Sequence, residues 1–225
     1  MGQAIGGMLP AAVGVAISPI PIVAVVLLLV SPRGRVNGPM YLSGQVVGVA
    51  GAGAVVLLLA GGAGGGSDGH PAGWVKWLQL VLGALLVSLA VKQWRERPRG
   101  GDEPVTPEWM ETLDEFTPLK ALGAGVVLSA LNPKNLVLTV AGMAAVVAAE
   151  ISAGEEAVAL AVFTLIGSLG VAIPVGMTFA LGERSREPLG RLRIWMTRNS
   201  AVIMAVLLLL IGAKLVGDAI SGFSR

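Results

Sequence analysis

Apolar residues run in long stretches along this chain, and most charged residues fall in short segments between them. Six stretches stand out, at roughly 3–30, 39–60, 74–93, 118–149, 155–181 and 199–220. A helix needs about 20 apolar residues to cross a bilayer, and all six reach or approach that length. The pattern predicts an all-α integral membrane protein of six transmembrane helices.

The first stretch of each half of the chain is long (3–30 and 118–149) and the third is short. An odd number of spans per half sets the two halves antiparallel, the inverted-repeat plan common among secondary transporters. The expected division is a three-helix repeat over 1–93, a cytoplasmic linker over 94–117 and a second repeat over 118–225.

Composition agrees with this reading. Charged residues make up 13% of the 225 positions, against about 25% in a soluble domain, and the mean hydropathy is +0.78. The 32 glycines concentrate inside the stretches, for example Gly44, Gly48, Gly167 and Gly170, where small residues let helix backbones approach in lipid. The first 30 residues lack a basic leader, so the N-terminal helix is expected to stay in the mature protein.

Charge sets the orientation. The segments after stretches 1, 3 and 5 hold twelve of the sixteen Lys and Arg, including Arg33, Arg95, Lys120, Arg184 and Arg198. Those after stretches 2 and 4 hold Asp68, Glu150, Glu155 and Glu156 instead. The positive-inside rule then expects a multi-pass protein of the cytoplasmic membrane with both termini outside.

Several chemistries find no support. With no cysteine, thiolate metal sites and thiol relays are excluded. No Asp or Glu falls near the middle of a stretch, as a divalent cation would want, and His70, the only histidine, lies in a Gly-rich segment. No metal, no cofactor and no catalytic set is expected. The net charge of +2 without a basic helix argues against nucleic acid.

The candidate chemistry lies at two interruptions. Stretch 1 carries Ser18-Pro19-Ile20-Pro21, and stretch 4 carries Asn132-Pro133-Lys134-Asn135; superposing Pro19 on Pro133 aligns the stretches without a gap. Ser or Asn before Pro is a helix-start signal, so each long stretch is expected to be two half-helices. Counting along the chain puts Asn132 about 21 Å and Pro19 about 16 Å from the cytoplasmic ends of their stretches. Helix N-termini attract anions, and Lys134 adds a full charge. Substrate binding is therefore expected from Ser18, Pro19, Pro21, Asn132, Pro133, Lys134 and Asn135. Gln45 and Thr139, with Ser129, Thr164, Ser168 and Thr178, are candidates for lining the same cavity. Individually each of these polar residues also reads as a helix-packing hydrogen bond.

At these residues the sequence resembles the LysE superfamily of six-helix exporters, whose first helix carries a Pro-Gly-Pro-type element and whose fourth carries Asn-Pro-Lys. Here Ile20 replaces the glycine, while Asn132-Pro133-Lys134 matches. Within it, the Ser-Pro-Ile-Pro-Ile start, Asn-Pro-Lys-Asn-Leu and Ala-Ile-Pro-Val at 172–175 are most similar to the GAP or Sap type of actinobacteria. That resemblance implies export of an anionic envelope lipid or glycolipid, within the bilayer and with a second copy or a larger lipid-export machine as partner. A small-metabolite or amino-acid exporter and a non-transporting scaffold are the alternatives. Residues 107–116 read as a short amphipathic helix with an acidic face, and the segment around Trp195 as a basic membrane anchor.

Overall fold

The computed structural model describes residues 1–63, 73–95, 97 and 116–223, and these are helical with no strand among them. The acidic segment 107–115, Asp68 and His70 lie outside the described residues. Eight helices follow in order: α1 (Gly2–Ala16), α2 (Pro19–Val30), α3 (Gly34–Ala63), α4 (Gly73–Arg95), α5 (Pro118–Ala130), α6 (Pro133–Val147), α7 (Ala153–Leu181) and α8 (Arg186–Phe223). Continuous helical segments at 34–60 and 153–221 are long and apolar enough to cross a membrane. The pairs α1–α2, bent by 46°, and α5–α6, bent by 61°, raise the number of candidate spans to four. The segment 153–221 spans two helices, because Gly182 takes a positive φ of 55° where α7 stops and the chain turns into α8. Stretch 74–93 forms α4, but Gln79, Lys92 and Gln93 dilute its apolar run.

Both predicted interruptions are real breaks. Ile17 and Ser18 take φ/ψ of −91°/8° and −60°/117°; Leu131 and Asn132 take −101°/−4° and −66°/117°. The same two-residue backbone step therefore recurs at positions 114 apart. Proline alone does not cause it, since Pro10 and Pro174 sit inside unbroken α1 and α7. The step arises where the residue before Pro is pushed to extended ψ and the proline opens a new helix. The basic segment before Trp195 differs from the expected loop: from Arg186 it is the start of α8. Exposed pairs Glu183–Arg186 and Glu187–Arg191 lie there, and Pro188 falls in the first turn, where its missing N–H costs nothing.

α1 packs antiparallel on α6 and parallel to α7, α5 lies along α3, and α4 packs along the later part of α8. Two of these contacts are backbone-close. A Cβ on Gly170 of α7 would overlap the carbonyl oxygen of Ala16, and one on Gly44 of α3 would overlap that of Leu122. Large apolar side chains face outward, with Leu58 75%, Leu165 69% and Leu210 63% exposed, the surface that a lipid environment would cover.

The interior divides into two apolar cores. One joins Met8, Ala11, Val15, Val49, Leu138, Met143, Phe163 and Leu208. The other joins Ile22, Val26, Leu29, Tyr41, Ala121, Val171, Val175 and Met196. In α3 and α7, and at the junction of α1 and α2, the change of core falls beside a buried polar residue: Gln45, Thr164 with Ser168, and Ser18; α8 passes from one core to the other without one.

Candidate functional site

The polar residues between the cores fall within one helical turn of a common level. Gly53 of α3 touches Leu160 of α7 and Met143 of α6. Eight residues from that contact, in the same direction along the bundle, stand Gln45, Ser168 and Asn135. Contacts of Gly7 with Ala145, Ala11 with Gly142 and Gly14 with Leu138 run α1 against α6. Continuing that register by one turn brings Ser18 level with the start of α6. Both breaks therefore open onto this polar layer.

The hydrogen bonds sort its members. Ser129 Oγ donates to Gly125 O at 2.7 Å and Thr178 Oγ to Pro174 O at 3.0 Å. These two are bonded within their own helices, so they serve local packing. By contrast Gln45 Oε1, Asn135 Oδ1, Thr164 Oγ and Ser168 Oγ are buried without a hydrogen-bond partner. So are Asn37 Oδ1 and the Tyr41 hydroxyl, further along α3. Thr139 is buried at the same α6 face, one turn beyond Asn135. A buried polar atom left unpaired costs about 1–3 kcal/mol, so three at one level and a fourth, Thr164, one turn away along α7 require a physical reason.

The two breaks differ in chemistry. Asn132 caps α6 as the sequence predicts, its Oδ1 accepting from the Lys134 backbone N–H at 3.1 Å. Ser18 occupies the matching place but makes no side-chain capping bond. Ser18, Pro19 and Pro21 are buried, whereas Pro133 is exposed and Asn132 and Lys134 are half-buried. Prolines carry no N–H, so Pro19 and Pro21 leave the first turn of α2 with the Ile20 N–H as its free donor. At α6, Pro133 removes one donor and the cap occupies another. The one full charge at either break is that of the Lys134 side chain.

Lys134 Nζ donates to the side-chain oxygen of Gln93, in the last turn of α4. The sequence reading missed Gln93, which is hidden among Lys92, Trp94 and Arg95 at the end of a stretch. The Lys134 side chain therefore leaves the layer toward that end of α4. Arg97 lies nearby in sequence and stacks on Trp94, 4.0 Å from the ring centroid. No cluster of His, Asp and Glu able to hold a metal occurs among the described residues.

An all-helical architecture among the described residues, helices long and apolar enough to cross a membrane, and two broken pairs around a buried polar layer are the features of an α-helical membrane protein. The chain belongs to the family described as Sap, sulfolipid-1-addressing protein, whose model matches residues 8–221. No curated protein matches it. No solved structure matches it either.

Proposed function

We propose that this chain is a cytoplasmic-membrane exporter that moves an anionic envelope lipid or glycolipid, with the headgroup held where α6 begins. The observation that carries the reading is Lys134: a cation on the second residue of a half-helix, beside a buried polar layer and reaching toward the end of α4. A lysine in an apolar bundle is costly, and such residues mark substrate paths. A lipid cargo accords with the family's description. Outward-facing apolar helices would let the acyl chains stay in the bilayer while only the headgroup enters.

The proposed frame is six spans as two inverted halves, 1–93 and 118–225, joined by 94–117, with both termini outside. Exchanging α1–α4 for α5–α8 maps most helix packings onto one another: α1 on α7 becomes α5 on α3, and α2 on α8 becomes α6 on α4. The repeated backbone step at Ser18 and Asn132 supports the same frame. The superfamily kinship with LysE-type exporters rests on Asn132-Pro133-Lys134. The protein acts without cofactor or catalysis in this reading, beside a second copy or a larger export machine.

Reconstitution tests it. In liposomes loaded on one side with a labelled anionic lipid, Lys134→Met is expected to lower transfer at least about tenfold, the cost of one charge-assisted contact, at unchanged protein yield. Transfer that survives both Lys134→Met and Asn132→Ala would rule the site out.

A further inference from the structure

The orphaned atoms of the polar layer have a chemistry of their own. Gln45 Oε1 and Asn135 Oδ1 are amide oxygens, which only accept hydrogen bonds. Thr164 and Ser168 add hydroxyls that accept as well as donate. All four residues are more than nine-tenths buried. Asn135 is held in this pose from behind, since its Nδ2 donates to Leu128 O at the end of α5, 3.5 Å away.

An oxyanion brings only acceptors and leaves the two amide oxygens unsatisfied. A metal cation would satisfy them, but it would stand beside the N-terminus of α6 and the residue next to Lys134. No Asp or Glu of the described residues lies in the layer to balance it. Uncharged hydroxyl groups meet every requirement: they donate to the amide oxygens, exchange bonds with Thr164 and Ser168, and carry no charge into the apolar interior.

We propose that Gln45, Asn135, Thr164 and Ser168 form an uncharged subsite that takes the hydroxyl groups of a sugar or other polyol headgroup. The inference rests on the exporter reading above and divides the headgroup in two. Its acidic group stays with Lys134, while its hydroxyl-bearing part enters between α3, α6 and α7. The subsite is thus a selectivity device: it distinguishes hydroxyl-rich anionic lipids from anionic lipids with bare headgroups.

The full-length protein in phosphatidylcholine nanodiscs tests this with three probes. Phosphatidylinositol is anionic and hydroxyl-rich, phosphatidic acid is anionic with a bare headgroup, and a monoglucosyl diacylglycerol has hydroxyls and no charge. Wild type is expected to bind phosphatidylinositol about tenfold more tightly than phosphatidic acid, the worth of one or two satisfied buried bonds. The Thr164→Val/Ser168→Ala double variant and Gln45→Met are each expected to erase that preference and weaken the glucosyl lipid, leaving phosphatidic acid unchanged. These side chains keep volume and drop only polarity, so folding is retained.

Equal binding of the two anionic lipids by wild type, or equal losses for both in the variants, overturns the subsite. Binding that instead tracks sodium over potassium in wild type but not in the variants overturns it in favour of a cation site. The two readings fail separately. Phosphatidic acid binding that is lost in Lys134→Met keeps the exporter site even where no hydroxyl preference exists. Phosphatidic acid binding indifferent to Lys134→Met removes the site on which both depend.

Discussion

The two breaks share a backbone and differ in almost everything else. At Ser18 the step is buried, neutral, uncapped and flanked by two prolines; at Asn132 it is half-open, capped and followed by a lysine. The repeated geometry shows what the fold requires, a change of helix direction at the boundary between two apolar cores. The unrepeated chemistry shows what the fold does not require. A lysine is not needed to break a helix, since Ser18 breaks one without it. The charge at residue 134 is therefore surplus to architecture, which is why a functional role is assigned to it.

The comparison is broken most severely from the side. Gly170 admits the Ala16 carbonyl at the end of α1, and any side chain there meets backbone that cannot move aside. Gly170→Val is expected to cost about 3 kcal/mol or more, beyond ordinary overpacking. It should appear as a large loss of folded protein in detergent thermal melts. Gly176→Ala, in the same helix with open space around it, should leave the melt within about 0.5 kcal/mol. Equal effects at the two glycines would show that the close approach is not structural.

A smaller effect sharpens the contrast between caps. Asn132→Ala is expected to lose about 1 kcal/mol, since it frees the Lys134 N–H. Ser18→Ala removes no capping bond and should cost less than about 0.5 kcal/mol. Chemical denaturation in micelles can rank them, and a Ser18 loss equal to that of Asn132 would contradict the asymmetry. The smallest effect carries the opposite sign. Without lipid, Ser168→Ala deletes an unpaired buried hydroxyl and should stabilise the protein by about 1 kcal/mol. Ser129→Ala deletes a hydroxyl already bonded to Gly125 and should not. A destabilised Ser168→Ala would mean that its hydroxyl has a partner in the lipid-free protein.

Much of this was written in local chemistry. Hydropathy marked the apolar helices, because burial in lipid demands runs of apolar residues whatever their neighbours. Ser-Pro and Asn-Pro marked both breaks, because the steric push of proline on the preceding residue acts within two positions. The match of residues 8–221 to the sulfolipid-1-addressing family accords with the likeness read from Asn132-Pro133-Lys134 and its flanks.

Other features needed the packed molecule. Gln45, Ser129, Thr164, Ser168 and Thr178 are alike as isolated polar residues in apolar stretches. Only the packing separates hydroxyls bonded to their own helix from those left unpaired, because satisfaction depends on what the neighbouring helices bring. Gln93 was invisible for the same reason: its partner Lys134 is 41 residues away along the chain. The sequence by itself determined where helices run and where they break, since both follow from solvent preference and local sterics. The tertiary structure alone decided which polar atoms share a level, which remain unpaired and where Lys134 reaches, since these depend on register between helices distant in the chain.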